Sequence, residues 1–137
     1  MALTHLVDTS VLTRVAVPAV RAALEPHLTR GTAARAGISD LEIGFSARNA
    51  AEWDRLAEAL DSFSLVETTD AHLRRARHVQ RLLAEQSLRG RKVPDLLVAA
   101  AAEDQGLVVL HYDADFDFIA DVTGQVTQWV AAAGTID

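Results

Sequence analysis

The sequence predicts an α/β fold, with a central parallel sheet of four to five strands covered by helices on both faces. Three observations lead there. Short apolar runs alternate with stretches of helical spacing along the chain, the order expected of βαβ units. The run at 107–110 is continuously apolar, as suits a strand buried on both faces. No repeat, low-complexity block or linker interrupts the 137 residues, so 1–137 is expected to form one domain.

Residues 3–7 are expected to form the first strand, ending on Asp8. Thr9 or Ser10 then offers a cap for a short helix over 11–15. Residues 17–29 show helical spacing through Val20, Ala23, Leu24 and Leu28, with Pro18 tolerated in the first turn. Pro26 is expected to kink or split that helix. An alanine-rich second strand is expected over 32–38. Ser39 opens a helix running to about Asn49, and Asn49 caps the next, whose apolar face is Trp53, Leu56, Ala57 and Leu60.

A third strand follows at 63–66, then a long helix from Asp70 to about Gly90. Pro94 begins a helix rich in apolar residues that Gly106 stops. The fourth strand is 107–110. A short helix lies within 113–121, and 126–130 is a last strand at a sheet edge.

Composition narrows the function. Half of the residues are hydrophobic (50%), which argues against disorder. No cysteine is present, so disulfides and thiolate metal sites are excluded, and a reducing cytoplasm suits the chain. The N-terminus lacks the pattern of a signal peptide, and the longest apolar window is far short of a membrane span. A net charge of −6 disfavours nonspecific affinity for nucleic acid, although a whole-chain charge hides local patches.

The acidic residues share one feature: each follows a strand or opens a helix. Asp8 reads either as a helix cap or as a site residue. Glu42 fits a capping box with Ser39, or a site. Asp95 opens an otherwise apolar helix, where the helix dipole favours it. Asp113, Asp115 and Asp117 follow the fourth strand; their mutual repulsion calls for a cation or for screening by water. Asp113 and Asp115 are better placed than Asp117. In a parallel sheet, strand carboxyl ends and helix N-termini lie on one rim, where ligands bind. Four or more carboxylates there, without cysteine, suit Mg²⁺ or Mn²⁺. Such a site can hold two ions that activate a water and stabilise the leaving oxygen of a phosphodiester, a two-metal-type hydrolysis.

The segments VDTSVL, SDLEIGFSARN and VPDLLVAAAAEDQGLVVLHYDADFDFIA together resemble the PIN-domain ribonucleases, specifically the VapC toxins of bacterial type II toxin–antitoxin pairs. The resemblance implies a three-layer α/β/α fold, a homodimer, a VapB-type antitoxin as partner, and cleavage of RNA that depends on Mg²⁺ or Mn²⁺. It carries the family's acidic residues onto Asp8, Glu42, Asp95 and Asp113, with Asp115 as a further metal ligand. Ser10 supports Asp8 by hydrogen bonding. His111 stands where the family often has threonine; it reads as a replacement donor or as a half-buried strand-end histidine.

RNA also needs positive charge. More than half of the Lys and Arg residues fall between Arg74 and Lys92, either gripping phosphates or covering a solvated helix face. Arg91 and Lys92, just before Asp95, are the better placed. Val17, Val20, Leu24, Leu28, Trp53 and Leu56 are candidates for a dimer face or an antitoxin groove, or else for the core. Two rival readings remain. A phosphotransfer fold of the receiver or dehalogenase type needs a late lysine, and the only lysine here is Lys92. A non-catalytic PIN-like module that binds RNA or a partner would lack affinity for Mn²⁺.

Overall fold

The computed structural model describes residues 2–88 and 92–137. The elements run β1 (His5–Val7), α1 (Thr9–Leu12), α2 (Pro18–Arg30), β2 (Ala33–Ala36), α3 (Gly37–Gly44), α4 (Ala50–Leu60), β3 (Ser64–Val66), α5 (Asp70–Glu85), α6 (Val93–Gln105), β4 (Val108–His111), α7 (Asp115–Thr123) and β5 (Thr127–Trp129). All strands are parallel, in the order β3-β2-β1-β4-β5. The five-strand sheet lies at the upper bound of the expected four to five, and β5 is an edge as expected.

Strand alternation divides the core between two faces. Leu6, Ala34, Ala36 and Val109 pack with residues of α5, α6 and α7. Val7, Ala33 and Leu110 point the other way, toward Val11, Val20, Leu24, Ile43 and Leu60 from α1 to α4. The outcome is a three-layer α/β/α sandwich. From β1 the chain moves outward to β2 and β3, then returns to place β4 on the other side of β1. The carboxyl ends of β1 and β4 therefore meet at the topological switch point, where such sheets open a crevice.

Several boundaries differ from expectation. Asp8 itself is the N-cap of α1, so that helix starts at Thr9 rather than Val11. The helix α2 runs unbroken through Pro26, which lies on the exposed side where water can satisfy the carbonyl left without its partner. The helix α3 begins at Gly37 and ends at Gly44, well before Asn49. Asn49 does cap α4, accepting from the Glu52 amide at 2.9 Å. The helix α5 ends at Glu85; the expected end at Gly90 lies outside the described residues. Gly106 closes α6 at φ 66°, a left-handed conformation that glycine adopts without a side-chain penalty.

Candidate metal centre

Asp8 sits where β1 ends. Its backbone N–H donates to the Leu110 carbonyl at 2.9 Å, which pins it to β4. Its Oδ2 accepts from the Ser10 amide at 2.9 Å, so the cap is real. The residue is only 2% exposed, and its other oxygen, Oδ1, is buried without a hydrogen-bond partner. One carboxylate thus holds the start of a helix and still has an oxygen available. Burial raises the Asp8 carboxyl above its ordinary pKa, and the charge of Glu42 adds to the effect.

Asp95 lies in the first turn of α6, after Pro94, and is 4% exposed. Its Oδ2 is likewise buried with no hydrogen-bond partner. Burial, then the charge of Asp8, pushes its pKa up to about 8; the Lys92 ammonium 3.8 Å away opposes the shift. Asp113 follows β4. Burial alone would raise its carboxyl, but the Lys92 ammonium and the Asp115 amide outweigh that and hold it below the usual range.

Asp8, Glu42, Asp95 and Asp113 line one hollow of about 220 Å³, together with Thr9, Ser10, Thr13, Arg14, Lys92 and Tyr112. Asp115 joins from α7: carboxylate oxygens of Asp95, Asp113 and Asp115 all lie within 4.8 Å of one another. The five acidic positions are therefore gathered on the rim at the β1/β4 crevice. The donor set is all oxygen, and two of its oxygens are buried and unsatisfied. Both features fit a hard divalent cation.

Glu42 does not form the expected capping box, because α3 starts two residues before Ser39. Thr9 Oγ1 instead donates to Glu42 Oε1 at 2.7 Å and lies 2.8 Å from the Ser39 hydroxyl. Thr9 was legible only as a helix cap; its place beside Asp8 was the available signal. The Ser10 hydroxyl accepts from the Tyr112 amide at 2.9 Å, tying α1 to the exit of β4. Asp117 is elsewhere: it is exposed and accepts from the Trp129 indole N–H at 3.2 Å.

His111 is fully buried rather than half-buried, packed against Phe116 and Trp129 with ring centroids 4.9 and 5.0 Å away. It is not a replacement donor into the hollow. Its Nδ1 accepts from the Asp113 amide at 3.2 Å, and its Nε2 is buried without a partner. Burial lowers its pKa to about 4, so the ring is neutral.

Of the basic stretch, Arg75 pairs with Glu103 and Arg81 with Glu85, and His72 bonds Asp104. Lys92 turns into the acidic cluster, and Arg91 lies outside the described residues. Of the apolar candidates, Val20 and Leu24 are core, while Leu28 and Trp53 remain exposed.

The PIN-domain family matches residues 5–122. Over all 137 residues the chain is 62% identical to Ribonuclease VapC51 of Mycobacterium tuberculosis, covering 100% of each. It is 44% identical to Ribonuclease VapC21 of the same species, covering 96% of each. Among solved structures, a DNA-bound VapBC from Salmonella typhimurium superposes with a TM-score of 0.76 at 14% identity, covering 94% of this chain and 99% of that one. The family match spans β1 to α7, the segment that builds the hollow, and the chain belongs to the PIN-domain family.

Proposed function

We propose that the chain is a metal-dependent endoribonuclease, the toxin of a type II toxin–antitoxin pair, which hydrolyses phosphodiester bonds in RNA. One observation carries the reading: Asp8 Oδ1 and Asp95 Oδ2 are buried without hydrogen bonds beside the same hollow. Two such carboxylates are costly to ionise together unless a cation joins them. Asp8 and Asp95 would hold the ion directly, with Glu42, Asp113 and Asp115 completing its surroundings. Mg²⁺ suits this oxygen set, and Mn²⁺ can replace it.

When bound, the ion supplies a Lewis-acid centre that eases deprotonation of water and offsets charge on the leaving oxygen. The chain's own residues keep the carboxylates in place. The Ser10 amide fixes Asp8, Thr9 fixes Glu42, and the His111 ring holds the backbone of Asp113. Lys92 brings a positive charge to Asp113. The Ser10 hydroxyl is engaged by the Tyr112 amide, which does not suit it to act as a nucleophile. The relatives' name, ribonuclease, supports the same reading.

A VapB-type antitoxin is the proposed partner, supported by the VapBC naming of the structural neighbours. An apolar hollow of about 460 Å³ lined by Val15, Leu24, Leu28 and Phe63 would suit an antitoxin segment. Phe45 and Leu41, 92% and 70% exposed, suit a homodimer face. No helix among the described residues is long and apolar enough to cross a membrane, and a cytoplasmic location is proposed.

The test is cleavage of RNA by the purified protein with Mg²⁺ or Mn²⁺, against EDTA and Asp8→Asn. The reading requires cleavage in the first case and none in the other two. Cleavage that persists in EDTA, or in Asp8→Asn at the wild-type rate, overturns the mechanism.

A further inference from the structure

We propose that Arg14 is the seat for a backbone phosphate of the RNA strand, and that the Asp137 carboxylate occupies that seat in the free protein. This rests on the endoribonuclease reading and adds a substrate contact to it.

Arg14 follows α1 and lines the acidic hollow. Its Nε and Nη2 donate to the two oxygens of Asp137 at 2.9 and 2.8 Å, a two-pronged grip. That edge of a guanidinium matches a phosphate as well as it matches a carboxylate. The group is held without Asp137. Nη1 donates to the Ser10 carbonyl at 2.6 Å, and the guanidinium carbon lies 5.0 Å from the centre of the Tyr112 ring. Such a fork is pre-organised for an oxyanion.

Asp137 reaches it because the chain after β5 folds back over the rim of the hollow. The Ile136 amide donates to the Tyr112 hydroxyl at 3.0 Å, so Tyr112 contacts both the arginine and the segment that covers it. The Asp137 side chain is more than half exposed (57%). An exposed ion pair contributes little and exchanges readily for another anion.

The charge balance of the hollow calls for such a contact. A polyanion approaching clustered carboxylates is repelled unless cations line its path. Among the described residues lining the hollow, the cations are Arg14 and Lys92. Lys92 is bound to Asp113, inside the acidic cluster. Arg14 bonds no carboxylate of that cluster; among the described residues, its acidic partner is Asp137. Replacing that carboxylate by a phosphate would place a strand beside Asp113 and Asp8 without breaking any other contact of Arg14.

The experiment uses a fluorescein-labelled RNA oligonucleotide with the full chain and its Arg14→Ala, Arg14→Lys and Asp137→Asn variants. Cleavage is followed with Mg²⁺, and anisotropy gives Kd in EDTA; melting curves check folding. Arg14→Ala is expected to raise KM and Kd about 10-fold, with kcat changed far less. It should also flatten the slope of log Kd against log salt by about 0.7, one phosphate contact on a single strand. Arg14→Lys restores the slope but only part of the affinity, since an ammonium lacks the fork.

Asp137→Asn is expected to lower KM and Kd severalfold, opposite in sign to Arg14→Ala. A purely structural pair would weaken binding from either side. If Asp137→Asn weakens binding, or if Arg14→Ala leaves Kd and its salt slope unchanged, the proposal is overturned. If the wild type cleaves no RNA with Mg²⁺ or Mn²⁺, the endoribonuclease reading fails, while the anisotropy series still decides the role of Arg14.

Discussion

Thr9 donates a 2.7 Å hydrogen bond to Glu42 across 33 residues of sequence, from the residue next to Asp8. It joins the first turn of α1 to α3 and fixes one acidic wall of the hollow against another.

Removing that hydroxyl should therefore act on chemistry more than on stability. Thr9→Val is expected to slow RNA cleavage by about 10-fold or more, the usual cost of losing support for a ligand. The same change should cost only about 1 kcal/mol of stability, as one hydrogen bond does. Rate measurements and denaturant melts on one preparation check both. An unchanged rate would mean that Glu42 keeps its place unaided.

Asp8 and Asp95 each present an unsatisfied buried oxygen, and a divalent ion should stabilise the fold by joining them. With Mn²⁺ at about 100 times its Kd, the expected gain is about 2.7 kcal/mol. Asp8→Asn and Asp95→Asn should each lose this gain and lower cleavage by roughly 10²-fold or more, the scale of removing a preorganised charge-stabilising group. Thermal melting with Mn²⁺ against EDTA reads the first effect, and an RNA cleavage assay the second.

The metal-free protein should lose stability as pH rises from about 6.5 to 8. The Asp95 carboxyl has its pKa raised to about 8 in the fold, against an ordinary 3.8. Between those values the folded state holds a proton that the unfolded state has released, so ionisation works against folding. Asp8, also raised, has the same sign. Buried His111 has the opposite sign: its pKa is lowered to about 4, so its contribution grows from about 4 to 6.5 and is then complete. Melts in EDTA across this range should show the decline in the wild type and a shallower one in Asp95→Asn. A wild-type curve flat from 6.5 to 8 would contradict it.

Ser10→Ala should destabilise the fold by about 1 kcal/mol, because the Tyr112 amide loses its acceptor at the exit of β4. Cleavage should fall with it, since Asp113 is the next residue along. Chemical denaturation and a cleavage assay measure the two together.

Much of the site was legible in single segments. Asp8 closes an apolar run, Asp95 opens an apolar helix, and Asp113 follows a continuous apolar strand. Each position is fixed by local hydrophobic period and by capping chemistry, which neighbouring residues settle. The sequence leaves Glu42 open between a capping box and a site; it lines the hollow and makes no capping box, and its actual partner, Thr9, was not legible. The switch of Asp117 toward Trp129 and the burial of His111 were hidden for the same reason. They depend on β5 packing beside β4, a contact between segments that sequence period does not report.

The sequence by itself determined the alternation of strands and helices, a parallel sheet of four to five strands and the acidic residues at strand ends and helix starts. Those follow from where apolar and polar side chains fall along one segment. Only the tertiary structure decided that β4 lies against β1, that the side chains of Asp8 and Asp95 lose water together, and that Arg14 meets Asp137. Burial and charge interactions belong to pairs of side chains, and strand order is what brings such pairs together.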